Sequence, residues 1–243
     1  VDAGGLVQLP DAIEGGSLVA IQQVNSETGV IQPLDELARQ LHEAGALFFA
    51  DCSQGAGKIA LPRGADMIAI SAHKLGGPIG IGALLLRDLS LLRAPGGQEQ
   101  GYRAGTEAMP LALGFPAALE GPRDWLAEVA ALRLRLEGAI KTAGGEIVAE
   151  ASPRLATIGS YRMPGVSAQA QLIRLDMAGI AVSAGSACSS GSLRPSHVLT
   201  AMGWPQSGAA EVIRVTMGHD TQARDIDAFL HEWHAIATGT QKQ

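Results

Sequence analysis

Apolar runs of strand length alternate with an amphipathic segment through the first half of the chain. The strand-sized runs occupy residues 18–24, 47–51, 65–71 and 81–87. Between the first two, residues 33–46 carry apolar positions at helical spacing and begin with Pro33, a residue favoured in the first helical turn. Strands that alternate with helices predict a largely parallel sheet covered by helices on both faces.

The second half of the chain has a different pattern. Helical spacing resumes after residue 106 and is strongest over residues 124–145, where the pattern ends at Gly144 and Gly145. Shorter strand-like and helical segments follow to the end of the sequence. We therefore predict two domains, with residues 1–123 in a large α/β domain and residues 124–243 in a smaller α+β domain.

Composition and charge narrow the class of protein. The chain has 243 residues, of which 47% are hydrophobic, so it can form a sizeable core. Its formal net charge is −6 and its basic residues are scattered, which argues against nucleic acid as a partner. Apolar runs are far shorter than the roughly 20 residues that a membrane span needs, so no membrane partner is expected.

Two cysteines, Cys52 and Cys188, lie far apart and form no CxxC pair. This spacing argues against a disulfide framework and a zinc site, and with no visible secretory signal it predicts a cytoplasmic protein. The HEWH sequence at 231–234 is one residue short of a zinc-binding HExxH and is better explained as a solvated helix face. We expect no metal.

One lysine stands in an unusual setting. In SAHKLGGPIGIG (71–82), Lys74 follows a histidine and precedes several glycines. Asp51 ends an earlier predicted strand, where open α/β sheets collect ligands, although a turn or capping role for it is equally plausible from the sequence. A lysine and an aspartate at one sheet edge suit pyridoxal phosphate chemistry: the amine forms a Schiff base and the carboxylate keeps the pyridine nitrogen protonated.

Two nearby features do not point to separate chemistry. GAGKIA (55–60) lacks both the leading glycine and the Ser/Thr of a phosphate-binding loop, because Ile59 stands where the hydroxyl belongs. We predict that it forms a turn. Cys52, in an apolar strand end, is expected to be a small buried hydrophobic residue.

Several motifs together resemble a known family. In order and approximate spacing, the chain is similar to the cysteine desulfurases of the class-V aminotransferase group over residues 51–59, 71–87, 97–107, 185–199 and 212–218. These are fold-type I pyridoxal phosphate enzymes. The resemblance implies part of a fold-type I large domain, a mostly parallel sheet with helices on both faces, followed by a small α+β domain that carries a catalytic cysteine loop.

The resemblance assigns roles to residues of the large domain. Lys74 matches the Schiff-base lysine, and Asp51 matches the partner of the pyridine nitrogen. Gln54 matches the donor to the phenolic oxygen, while Ser71 and His73 match phosphate ligands. Together these residues would bind pyridoxal 5'-phosphate.

Three further residues matter for the substrate and the assembly. Thr106 resembles a threonine that reaches the phosphate of the neighbouring subunit, so a homodimer is implied. Cys188 matches the cysteine that attacks the substrate sulfur; in isolation, a cysteine in a Ser/Gly-rich loop is more often inert. Arg214 matches the ligand of the substrate carboxylate, with a surface ion pair as its alternative.

The sequence departs from the family pattern in two places. Ser26 stands where an asparagine would lie against the cofactor, which predicts a weaker contact. The sequence also lacks the N-terminal portion of the family pattern, with its Gly/Thr-rich phosphate turn and ring-stacking histidine. We therefore expect a truncated chain or a fragment that binds the cofactor poorly or not at all.

The function implied is conversion of L-cysteine to L-alanine, with sulfur transferred to Cys188 as a persulfide. The sulfur would pass to an acceptor protein for iron–sulfur cluster assembly or thio-modification. Two alternatives remain open: a related lyase or aminotransferase acting on another amino acid such as selenocysteine, and a catalytically silent module for dimerisation or docking.

Overall fold

The computed structural model describes residues 1–185 and 196–240, and its contacts divide the chain into two compact units. The first unit contains residues 9–24 and 32–123. The second contains residues 1–8, 25–31 and the described part of 124–243. One division falls between residues 123 and 124, and residues 1–8 and 25–31, which were predicted to lie in the large domain, group with the C-terminal part of the chain.

The first unit is built around a four-stranded sheet. Its strands are β1 (Leu18–Gln22), β2 (Leu47–Asp51), β3 (Met67–Ser71) and β4 (Gly82–Leu86), and they lie side by side in that order. Strands β1, β2 and β3 are parallel, whereas β4 runs antiparallel to β3. The predicted α/β class and mostly parallel sheet are confirmed, with one antiparallel edge strand added.

Two helices belong to this unit, α1 (Leu34–Glu43) and α2 (Met109–Glu120). Helix α1 buries a face spaced at helical period, made of Leu34, Leu37, Ala38 and Leu41. In β2, Phe48 and Ala50 alternate with less buried neighbours, as expected for a pleated strand. Short 3-10 helices lie at Ala72–Leu75, Leu89–Leu91 and Glu99–Gly101.

The second unit has an antiparallel sheet. Its strands are β5 (Glu146–Ile147), β6 (Ile158–Arg162), β7 (Ser183–Ala184) and β8 (Val212–Thr216), in the spatial order β5-β6-β8-β7. Strands β5 and β7 are only two residues long, shorter than the runs that suggested them. The central pair β6 and β8 aligns Ser160 with Arg214.

The described part of the second unit also contains five helices: α3 (Trp125–Thr142), α4 (Ala168–Met177), α5 (His197–Ala201), α6 (Gln206–Ala209) and α7 (Ala223–Thr240). Its core contains the fully buried Trp233, Tyr161 and Leu136. Over the residues described, no helix combines the length and the apolar character needed to cross a bilayer.

Candidate functional site

Two predicted site residues stand at the carboxyl ends of neighbouring parallel strands. Asp51 is the last residue of β2 and pairs in register with Ala69, two residues before the end of β3 at Ser71. Parallel strands bring their carboxyl ends to one edge of the sheet, where open α/β folds bind ligands. The Asp51 side chain is exposed, and its Oδ1 accepts a hydrogen bond from the Ser53 amide at 2.9 Å.

His73 and Lys74 follow β3 directly, in the one-turn 3-10 helix 72–75. The hydroxyl of Ser71 and Nδ1 of His73 are hydrogen-bonded at 2.8 Å. Gly76 ends the helix at φ 89°, a left-handed conformation that glycine adopts without strain. The turn leaves the His73 and Lys74 residues exposed at the sheet edge, beside the strand end that carries Ser71.

The segment after Asp51 forms the predicted turn and contains a contact that sequence reasoning missed. Lys58 Nζ donates to the carbonyl oxygen of Gln54 at 3.0 Å and to that of Lys74 at 2.7 Å. It therefore joins the segment carrying Gln54 to the segment carrying Lys74. The four-residue spacing between Gln54 and Lys58 is compatible with a contact across one turn, so the sequence could have indicated the bond to Gln54. Nothing in the local sequence indicated Lys74 as the second partner.

Cys52 lies beside Asp51 and is fully buried, as expected. Burial raises the pKa of its thiol to about 12, and the neighbouring Asp51 carboxylate adds to the shift. Since the thiolate is the reactive form, Cys52 is not suited to act as a nucleophile.

Arg214 and Ser26 contact each other within the second unit. Arg214 Nη1 donates to the backbone carbonyl of Ser26 at 2.9 Å, although 188 positions separate the two residues. The turn that carries Ser26 is held by Asn25, whose Oδ1 accepts from the amides of Glu27 and Thr28, both at 2.9 Å. Within the described part of the chain, Arg214 Nε is buried without a hydrogen-bond partner.

The same turn contacts the start of α5. The buried Glu27 carboxylate accepts a hydrogen bond from the hydroxyl of Ser196, which also caps the helix by accepting from the Leu199 amide at 3.1 Å. The predicted Cys188 lies outside the described residues. Thr106 lies in the exposed segment before α2, and its approach to a neighbouring subunit stays a prediction.

The donor set at the edge of the first sheet fits pyridoxal phosphate. An amine (Lys74) suits the aldehyde and a carboxylate (Asp51) suits the pyridine nitrogen. A hydroxyl (Ser71) and an imidazole (His73) supply donors for a phosphate. These residues lie at the carboxyl ends of adjacent parallel strands, so their chemistry and placement fit the cofactor. Among the described residues, no group of three or more His, Cys, Asp and Glu side chains could hold a metal ion.

Comparison with known proteins supports the resemblance. The family model described as "Aminotransferase class-V" matches residues 5–229. A cysteine desulfurase from Gluconacetobacter diazotrophicus is 40% identical over 226 residues, covering 88% of this chain and 56% of the relative. The chain thus spans little more than half the length of that curated relative.

Solved structures share the fold. The NifS-like protein from Rickettsia africae matches with a TM-score of 0.83 and 31% identity, over 98% of this chain and 68% of that one. A second structure, SspA in complex with cysteine, matches with a TM-score of 0.71 and 27% identity, over 89% of this chain and 64% of that one. These matches confirm the predicted fold class and the family resemblance.

Proposed function

Because the chain belongs to the class-V aminotransferase family, we propose that the whole protein is a pyridoxal-phosphate-dependent cysteine desulfurase. The observation that carries the proposal is the placement of Asp51 and of the Ser71–Lys74 segment at the carboxyl ends of neighbouring parallel strands. Class-V aminotransferases and cysteine desulfurases are pyridoxal phosphate enzymes. The names of the relatives and the donor set at the sheet edge support the same cofactor.

The residues of the first unit would bind the cofactor. When bound, pyridoxal phosphate supplies an electron-withdrawing ring that accepts charge from the substrate α-carbon. Asp51 would hold a proton on the ring nitrogen, and Lys74 would hold the aldehyde carbon before moving protons at the substrate carbons. Ser71, in contact with His73, would donate to the phosphate, and Gln54 to the phenolic oxygen.

Arg214 would bind the α-carboxylate of L-cysteine. A planar guanidinium can donate two parallel hydrogen bonds to a carboxylate, and its charge does not depend on pH in the usual range. The contact between Nη1 and the Ser26 carbonyl supports this role because it restricts the orientation of the guanidinium. The unpartnered Nε is a further donor on the same group.

Cys188 would take the sulfur. Its thiolate attacks the sulfur of cysteine, so that an S–S bond forms as the substrate C–S bond breaks. The products are L-alanine and a Cys188 persulfide, and the persulfide sulfur would then pass to the thiol of an acceptor protein for iron–sulfur cluster assembly or thio-modification. We further propose a cytoplasmic homodimer in which Thr106 contacts the phosphate bound by the neighbouring subunit.

The first test is a visible absorbance spectrum of the purified protein with added pyridoxal phosphate, alongside Lys74→Ala. We expect a band from lysine-bound cofactor in the parent protein and its loss in the variant. If neither protein shows the band, the proposal is wrong for this chain, and the silent-module alternative gains support.

The second test separates a desulfurase from related enzymes. With L-cysteine and a thiol reductant, alanine and sulfide should form in equal amounts, and both should be lost in Cys188→Ser while the absorbance band remains. Cys52→Ser is the matched control and should keep activity, because the Cys52 thiol is buried. Amino transfer to a keto acid, unaffected by Cys188→Ser, would instead indicate an aminotransferase, and strong preference for selenocysteine would indicate a selenocysteine lyase.

A further inference from the structure

We propose that Lys58 is a positioning residue for Lys74, holding the main chain at Lys74 in a fixed place relative to Gln54. This inference rests on the proposed function, because it concerns the residues that would hold the cofactor. It assigns a role to a lysine that would not itself contact the cofactor. The observation behind it is the pair of hydrogen bonds from one ammonium group to the carbonyls of Gln54 and Lys74.

Lys58 extends from a well-defined turn. The amide of Ala56 donates to the carbonyl of Cys52 at 2.8 Å, and the amides of Lys58 and Ile59 both donate to the carbonyl of Gly55 at 2.9 Å. Cys52, Gly55 and Ala56 are buried, so the turn is anchored in the first unit. The Lys58 side chain therefore starts from a fixed backbone position.

The second partner of Lys58 is a carbonyl in the last turn of a short helix. Carbonyl groups in the last turn of a helix lack intrahelical partners, and the helix that carries Lys74 is only one turn long. The 2.7 Å distance between Lys58 Nζ and the Lys74 carbonyl oxygen is that of a charge-assisted hydrogen bond. The amides of Gly76 and Gly77 both donate to the Ala72 carbonyl and close the turn, whereas the bond from Lys58 ties the Lys74 carbonyl to the neighbouring turn that carries Gln54.

The position of the main chain at Lys74 matters because the lysine side chain is long and flexible. Lys74 can present its amine to one carbon atom repeatedly only if its α-carbon stays in place, and small displacements of catalytic groups are costly. Gln54 and Lys74 follow β2 and β3 respectively. A single ammonium that bonds both main-chain segments fixes the spacing between them.

The electrostatics of the site argue against a role in fold stability alone. Burial, together with the positive charges of Lys74 and Arg123, lowers the pKa of Lys58 to about 8. Burying a cation in these surroundings carries a desolvation penalty in the free energy of folding, and an apolar side chain of similar shape would avoid that penalty. Replacement of Lys58 by methionine should therefore leave overall stability nearly unchanged while removing the two hydrogen bonds.

The experiment compares Lys58→Met and Lys58→Arg with the parent protein, in the longest natural form of the protein that contains this sequence. Lys141→Met is the matched control, because Lys141 is an exposed lysine whose salt bridge is with Glu150. Three quantities are measured: the dissociation constant for pyridoxal phosphate from the Lys74-dependent band, hydrogen exchange of the amides at 75–77, and the urea midpoint of the cofactor-free protein.

For Lys58→Met we expect the dissociation constant to rise about tenfold, as for loss of one hydrogen bond to a charged group. Exchange at residues 75–77 should accelerate while the urea midpoint stays unchanged. Lys58→Arg keeps the charge and the donors and should recover most of the affinity, and Lys141→Met should match the parent protein in all three measurements.

The outcomes separate the two proposals. If the parent protein shows no Lys74-dependent band, the proposed function is wrong and this role of Lys58 is wrong with it. If the band is present and Lys58→Met binds the cofactor with unchanged affinity and unchanged exchange, the role of Lys58 alone is wrong. A fall in the urea midpoint together with faster exchange throughout the first unit would make Lys58 a stabilising residue and would also overturn the proposal.

Discussion

Replacing Glu137 by glutamine tests whether a buried ionic cluster stabilises the second unit. Glu137 lies on α3 and accepts hydrogen bonds from Arg133 Nε at 2.8 Å and from Arg154 Nη1 at 2.7 Å. The three side chains are only 7–11% exposed. Glu137→Gln keeps the size and shape of the side chain but leaves two guanidinium groups without their shared negative charge.

The expected loss is about 3 kcal/mol in the free energy of unfolding. Removal of one partner from a buried ion pair costs about 3–5 kcal/mol, because the other charge is left without compensation. The lower end applies here, since Arg133 also donates to the Leu155 carbonyl at 2.8 Å and keeps that partner. Glu150→Gln is the control: its pair with Lys141 is about half exposed, so its loss should cost no more than about 1 kcal/mol.

Urea unfolding followed by tryptophan fluorescence measures the effect, because all three tryptophans, Trp125, Trp204 and Trp233, belong to the second unit. Burial raises the pKa of Glu137, but hydrogen bonds from Arg154 and Arg133 outweigh it and hold the pKa below its usual value. The ionised carboxylate therefore stabilises the protein above the ordinary glutamate pKa, and this contribution is lost as the pH falls through the lowered value.

The difference between parent protein and Glu137→Gln should accordingly be full at pH 7 and should shrink on acidification below about pH 4, near the ordinary glutamate value. A loss at pH 7 no larger than that of Glu150→Gln would refute the reasoning. A difference that is constant from pH 7 to pH 3 would show that shape, and not charge, accounts for the effect.

Three further changes have expected outcomes. Gly29→Ala should lower the free energy of unfolding by about 1 kcal/mol because of its φ of +76°, and further because a Cβ would lie 2.7 Å from a backbone oxygen of β6. Gly144→Ala has a φ of +79° but open space around it, so urea titrations should show only the loss caused by the backbone conformation. In the native protein at pH 8, the buried Cys52 should resist a thiol reagent, whereas Cys188 should react with it. Mass spectrometry of the labelled peptides measures both reactions, and early labelling of Cys52 would contradict its burial. Arg214→Lys should raise KM for cysteine about tenfold with a smaller change in kcat, because a single ammonium cannot replace a bidentate donor; an unchanged KM would argue against carboxylate binding there.

The sheet edge of the first unit was predictable because it depends on local patterns. Apolar runs located the strands, and their ends located Asp51 and Ser71 at the carboxyl edge. The antiparallel direction of β4 follows from chain length: only residues 72–81 separate it from β3, fewer than the dozen or more that a parallel crossover usually needs. The contact of Lys58 with the Lys74 carbonyl was not predictable, since it depends on how two turns 16 positions apart are oriented.

The turn at residues 25–31 lies within the large domain predicted from the sequence, but its contacts place it in the second unit. It belongs to the second unit because the Ile31 amide donates to the Pro153 carbonyl and the Leu155 amide donates to the Gly29 carbonyl, both at 2.8 Å. These partners are more than 120 positions away, so no local pattern could indicate them.

Ser26 contacts Arg214 through its main-chain carbonyl, which an asparagine would supply equally well. The departure from the family pattern at this position therefore leaves the orientation of Arg214 intact, and any effect on the cofactor must come through the serine side chain alone.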